Sequence, residues 1–190
     1  MPIFDHFRLI APYYDRLIQL REPEKLIDFA NLPIQGKILD AGGGTGRVAQ
    51  VLIDYATEVI VADLSFEMLR HASKKENLNR VLSHTESLPF GNEAFERVIM
   101  VDALHHVCNQ VTTALELWRV LKTGGRLVIV EPDVRRFSVK LVALAEKVAL
   151  MRSHFLSPPR IQNLFPDEIS RSKIILNGFN AWVLIDKMGD

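Results

Sequence analysis

Four glycines within five residues, Gly42 to Gly44 and Gly46, constrain this chain more than any other feature. The stretch before them, Lys37-Ile38-Leu39-Asp40, reads as a short buried strand that stops at the acid. The turn that follows demands positive φ and close backbone approach, which residues lacking Cβ adopt at least cost. From Thr45 onward, Val48, Ala49, Val51 and Leu52 recur at helical spacing. Strand, glycine turn and helix form the opening unit of a nucleotide-binding α/β sheet, where backbone N–H groups and a helix N-terminus approach a ligand. A dinucleotide turn of the G-x-G-x-x-G/A type would place its last small residue at Arg47. The pattern present is instead acidic-x-G-x-G-x-G, carried by Asp40, Gly42, Gly44 and Gly46.

The rest of the chain alternates in the same style. Glu58 to Asp63 is a buried strand ending in an acid, and Ser65 is an N-cap candidate for a helix holding Met68, Leu69 and Ala72. An acid at the tip of the second strand, about 20 residues past the glycines, suits vicinal ribose hydroxyls, because a carboxylate accepts from both. Residues Arg80 to Thr85 form a third strand and Arg97 to Asp102 a fourth, with Ala103-Leu104-His105-His106 at its ligand-facing end. A helix over Val111 to Leu121 ends at Gly124 and Gly125. Arg126 to Glu131 is near-continuously apolar, as a strand covered on both faces should be. Val134 to Leu150 reads as a long helix, and Lys173 to Leu176 with Ala181 to Ile185 as a hairpin signalled by Asn177-Gly178. Before the glycine turn, Ile3 to Leu20 and Glu22 to Ala30 read as helices that cover one edge. Regular alternation implies a parallel sheet with helices on both faces.

Composition narrows the chemistry. Lys+Arg 23 balance Asp+Glu 23, so no global basic field points to nucleic acid. A single cysteine, Cys108, excludes a disulfide framework within one chain and disfavours a thiolate metal cluster. The start lacks the basic and apolar regions of a signal peptide, and no apolar run approaches the roughly 18 residues of a membrane span. The expectation is a soluble, cytoplasmic protein with no metal site.

The ordered motifs together resemble the class I S-adenosylmethionine (SAM) methyltransferases, and within them the type 11 and ubiquinone/menaquinone C-methyltransferase relatives. The resemblance is carried by Phe7, Ala11 and Tyr14-Asp15, by Ile38 to Gly46, and by Val61 to Ser65 with Met68-Leu69. Leu88-Pro89-Phe90 with Phe95, Ala103 to His106, and Val120 to Leu127 complete it. It implies a Rossmann-like, doubly wound, seven-stranded sheet in the order 3-2-1-4-5-7-6 with the last strand antiparallel. Residues 1–190 would be one such domain, with 1–33 a helical cover and 132–172 a lean substrate or lid segment. SAM would be the cofactor, S-adenosylhomocysteine the product, and a small molecule, aromatic or quinol-like, the acceptor.

The resemblance also implies roles. Gly42 and Gly44, with Ala41, would pass beneath the methionine part of SAM, and Asp40 would lie near its amino group. Asp63 would take the ribose hydroxyls, Leu64 would contact the adenine, and Thr85 and Glu86 would border its edge. Met68 would line the same pocket, Ala103 would face the methionine part, and Tyr14 would close the pocket from above. Two departures stand out. Gly43 replaces a frequent cysteine, which should matter little, and His84 replaces an aspartate beside the adenine amino group. The segment after the fifth strand is short, so the substrate pocket is either open or completed by another subunit, as in a homodimer.

Methyl transfer is an in-line displacement, so positioning supplies much of the rate and a base is needed for some acceptors. The candidates at the ligand edge are His105 and Glu131, joined by His154 from the later segment; His106 and Asp102 lie at the same edge. The histidine pair and Glu131 serve equally as packing and capping elements. Arg135, Arg136, Arg152 and Arg160 are either contacts for an anionic substrate or a solvated face. Two other functions compete: a non-catalytic SAM-binding or assembly protein, and a nicotinamide-dependent oxidoreductase, which Arg47 disfavours.

Overall fold

The computed structural model describes residues 20, 22–73, 75, 77–136, 139 and 153–189. Tyr14, Arg152, most of the expected first helix and most of the helix expected over Val134 to Leu150 lie outside the described residues.

The strands are β1 (Lys37–Ala41), β2 (Glu58–Asp63), β3 (Asn79–Leu82), β4 (Phe95–Val101), β5 (Leu121–Pro132), β6 (Ser170–Asn177) and β7 (Asn180–Lys187). They form one sheet in the order β3-β2-β1-β4-β5-β7-β6, the order expected from sequence. The first five are mutually parallel. The last strand, β7, runs antiparallel to both β5 and β6. Helices given by the described residues are α1 (Pro23–Phe29), α2 (Ala49–Leu52), α3 (Phe66–Ala72), α4 (Gln110–Val120) and α5 (Pro158–Gln162).

Strand alternation divides the core into two layers. Leu39, Ala62, Val98, Met100, Leu127 and Ile129 face one way and pack with Ala114 and Leu117 of α4. Ile38, Val61, Ile99, Val128 and Val130 face the other way and pack with Leu26 of α1, Leu52 of α2 and Leu69 of α3. Central strands buried on both faces read as unbroken apolar runs for this reason. Among the described residues no helix is long and apolar enough to cross a membrane.

Local details depart from the sequence expectation in instructive ways. The helix after the glycine turn begins at Ala49, not Thr45, and gives way to a 3-10 turn at Ile53–Tyr55. Gly44 at φ +55 and Gly46 at φ +71 are left-handed, and a right-handed helix cannot include them. The expected helix stop at Gly124-Gly125 is also corrected, because α4 ends at Val120 and runs directly into β5. Phe95 pairs with Leu121 and Arg97 with Arg126, so residues 122–125 bulge opposite Glu96 alone. Gly124 at φ +77 supplies that bulge. Strand β3 is also shorter and earlier than the expected Arg80 to Thr85. The terminal hairpin turns on Gly178-Phe179, with Asn177 paired to Asn180.

Candidate functional site

The parallel strands leave a crevice where the order reverses, between β1 and β4, and ligands of open α/β sheets bind at such a point. The glycine turn leaves β1 here. The N–H groups of Gly42 and Gly43 donate to Ala62 O at 2.7 and 3.2 Å, and the Gly44 N–H donates to Asp63 Oδ2 at 2.8 Å. The turn is therefore tied to the tip of β2. A Cβ on Gly42, at φ +68, would lie 2.7 Å from Ala103 Cβ; one on Gly44 would lie 3.1 Å from Met68 Cε. Ala103 and Met68 thus pack closely around the turn.

Asp63 does more than the sequence suggested. Its Oδ1 accepts from the Ser65 N–H at 2.7 Å while Oδ2 holds Gly44. Each carboxylate oxygen has two acceptor sites, so these bonds fix the side chain without exhausting it. Ser65 caps α3, its Oγ accepting from the Met68 N–H at 3.4 Å. Leu64 is 45% exposed beside this carboxylate, an apolar surface at the ligand edge.

Asp40 is buried under the turn, and its Oδ2 accepts from the Ala49 N–H at 3.1 Å, so it caps the start of α2. Burial pushes its pKa up to about 7, with Arg47 opposing the shift. Gly43 matters more than its sequence context suggested. A Cβ there would lie 2.5 Å from the Asp40 carboxyl and 2.9 Å from Val61 Cγ1, so the frequent cysteine of relatives does not fit this arrangement. Arg47 crosses the crevice, its Nη2 donating to Asp102 Oδ2 at 2.8 Å. Asp102 directly follows β4 at φ +53, a strained setting for a residue with Cβ, and burial raises its pKa against the pull of Arg47.

The structure brings His105 and Glu131 together and places both in the interior, 4% and 3% exposed. Glu131 Oε1 accepts from the N–H groups of Ala103 and Leu104 at 3.0 and 2.8 Å. His105 Nδ1 lies 2.5 Å from Glu131 Oε2. The His106 ring lies 4.0 Å from that of His105, tilted by 47°, and burial followed by the His105 charge lowers its pKa to about 3. The main chain of His154 joins this loop by donating to His105 O at 2.7 Å, while its side chain is exposed. That side chain lines a cleft of about 320 Å³ with Val107, Gln110, Leu156 and Leu164.

Thr85 is buried, its hydroxyl 3.3 Å from that of Thr113. Glu86 accepts from the N–H groups of Cys108 and Asn109 at 2.9 and 3.2 Å, tying the loop before α4 to the end of β3. His84 is exposed, with Nδ1 3.8 Å from Glu86 Oε2. Arg135 is engaged by Asp133 at 2.8 Å, and Arg160 is exposed.

A family model described as a methyltransferase domain matches residues 39–129, which spans the glycine turn, the Asp63 tip and the loop after β4. The ubiquinone/menaquinone biosynthesis C-methyltransferase UbiE of Zymomonas mobilis is 27% identical over 159 residues, covering 80% of this chain and 63% of the relative. The protein of the same name from Pasteurella multocida is 35% identical over 115 residues, 55% of this chain and 43% of the relative. A SAM-dependent methyltransferase from Aquifex aeolicus shares the fold at TM-score 0.72, with 17% identity and coverage of 96% and 97%. The chain carries a methyltransferase domain over residues 39–129. It spans less than two thirds of the length of the curated relatives it matches.

SAM is the cofactor of this family, and the residues of this methyltransferase fit it. The bare backbone at Gly42 and Gly44 lets Ala103 and Met68 pack directly on the turn, with no side chain of the turn between them. Asp63 sets a carboxylate at the tip of β2 and Leu64 an exposed apolar side chain beside it, a pairing that fits a ribose and a base. The Arg47–Asp102 bridge was not legible in sequence, where Arg47 registered only as the absence of a small residue. The one signal was a basic residue directly after the motif and an acid at the tip of the neighbouring strand.

Proposed function

We propose that this methyltransferase moves a methyl group from SAM to a small-molecule acceptor with an aromatic or quinol-like ring. The observation that carries the reading is the junction of Gly44 and Asp63: one carboxylate both fixes the glycine turn and faces the ligand edge. When bound, SAM supplies an electrophilic methyl on sulfur, so the new bond forms as the S–C bond breaks and its electron pair stays on sulfur. The protein's part is positioning. Asp63 receives the ribose, Asp40 the amino group, Leu64 and the Thr85–Glu86 edge the adenine, and Ala103 the methionine chain. Tyr14 is assigned the closing position.

The acceptor side is the cleft between the loop after β4 and residues 154–164. Its Leu156, Leu164 and Val107 suit an apolar ring, and the relatives' name favours a ring carbon as the acceptor atom. Methylation at carbon releases a ring proton, and the exposed His154 imidazole on the cleft is the group assigned to take it. His105 and Glu131 support the loop beneath. We further propose that residues 1–190 act as one cytoplasmic domain, and that a second copy completes the acceptor side as a homodimer. Calorimetry with S-adenosylhomocysteine should give micromolar binding, and a well-folded protein that binds NAD while rejecting both SAM and its product would contradict the reading.

A second reading, a non-catalytic SAM-binding protein, draws on the mutual engagement of Glu131 and His105 away from solvent. A turnover screen over quinols, phenols, amines and thiols separates the two, since any SAM-dependent methylated product removes the strictly non-catalytic case.

A further inference from the structure

Glu131 is the penultimate residue of β5, and its carboxylate meets donors from three consecutive residues: Ala103 N–H, Leu104 N–H and His105 Nδ1. A carboxylate can serve all three at once, because each oxygen has two acceptor sites. The first of these residues, Ala103, presses on the glycine turn at the place a Gly42 Cβ would occupy. The last, His105, passes the constraint outward. Its ring stacks on Phe155 at 4.3 Å and 14°, and its carbonyl accepts from the His154 N–H at 2.7 Å. Gln110 adds a second tie, with Nε2 donating to Leu104 O at 3.1 Å and to His154 O at 2.6 Å. The loop that borders the cradle and the segment that borders the cleft thus share one buried anchor.

We propose that Glu131 is a positioning residue that holds the loop after β4 in register with the glycine turn and, through His105, fastens residues 153–156 to the same loop. Occupation of the cradle then stiffens the far side of the cleft without touching it. The coupling to ligand rests on the cradle being the SAM site; the anchor itself does not.

Site-resolved hydrogen exchange on the full chain, with and without S-adenosylhomocysteine, tests this. Glu131→Ala leaves the part-buried Ala103 N–H and the buried Leu104 N–H without their acceptor, so the amides of Ala103, Leu104 and His154 should lose protection together by about tenfold or more. Glu131→Gln keeps one oxygen for the two N–H groups and offers an N–H to the other His105 tautomer, so protection should return to within about threefold of the parent. The amides of β7 should be unchanged in both. His105→Ala keeps the carbonyl that accepts from His154 but removes the ring that packs on Phe155 and bonds Glu131, so His154 should lose protection while Ala103 and Leu104 stay protected. In the parent protein the product should slow exchange at His154, and in His105→Ala it should not.

The proposal is overturned if Glu131→Ala leaves the loop amides unchanged, if it loosens β7 equally, or if Gln fails to rescue. It is also overturned if bound product leaves His154 exchange unaltered in the parent. Should the parent bind no product at all, the SAM reading falls, while the comparison of Glu131→Ala, Glu131→Gln and His105→Ala still judges the anchor. If the alanine variant does not fold, the glutamine and His105 variants carry the test.

Discussion

The tips of β1 and β2 and the segment 153–165 lie at the same edge of the sheet but are built differently. At the tips, the N–H groups of Gly42, Gly43, Gly44, Ala49 and Ser65 each donate to a named acceptor, three of them to the carboxylates of Asp40 and Asp63. The later segment meets the loop after β4 through the His154 main chain and the Phe155 ring. A ligand site that is pre-formed wastes little binding energy on ordering itself. On the proposed reading, the first region suits a ligand of fixed form and the second leaves room for variation in the acceptor.

The contrast breaks first at Asp63. Asp63→Ala removes both the expected ribose acceptor and the Gly44 tether, so affinity for S-adenosylhomocysteine should fall by about a hundredfold, roughly 3 kcal/mol. Titration calorimetry reads this directly. Gly42→Ala comes next, because a left-handed alanine there also drives Ala103 outward. It should cost about 1–3 kcal/mol of stability by denaturant unfolding and weaken binding as well.

Acidity sharpens the comparison further. Asp40 has a folded pKa of about 7, above its unfolded value, so its stabilising contribution is full below about pH 4 and is lost as pH rises through 7. His106 has a folded pKa of about 3, below its unfolded value, so its contribution is full above about pH 6.5 and is lost as pH falls toward 3. Between about pH 4 and 6.5 the two slopes oppose and nearly cancel. Asp40→Asn removes one of them. Its stability relative to the parent should therefore climb by about 1.4 kcal/mol per pH unit across that window. Parallel curves for the two proteins would show that Asp40 is not held in its protonated form. The smallest effect belongs to the other region: His154→Asn should change product affinity by less than about twofold. Turnover on a carbon acceptor should still fall in that variant.

How far the sequence revealed this depends on the distance over which each constraint acts. The glycine turn, the Asp63 tip and the Ser65 cap were legible because backbone geometry and chemistry meet within a few residues. The parallel sheet followed from alternation, and the strand order from the family resemblance. Gly124-Gly125 misled, because glycine pairs end helices and make bulges alike, and only the Phe95–Leu121 pairing distinguishes the two. Arg47 with Asp102 is 55 residues apart in sequence and Glu131 with His105 is 26 apart. Their residue types were visible, but their pairing depends on β4 lying between β1 and β5. Gly43 was underrated for a similar reason: its neighbours are the folded-back Asp40 carboxyl and Val61 on the next strand.

The most direct measurement is a titration of isotope-labelled protein with S-adenosylhomocysteine, followed through backbone amide resonances. The account predicts saturable shifts concentrated at Gly42, Gly43, Gly44, Leu64 and Ala103, with the β6–β7 hairpin unmoved. Shifts confined to the hairpin, or a saturating ligand that leaves the amides of the glycine turn and Asp63 in place, would contradict it.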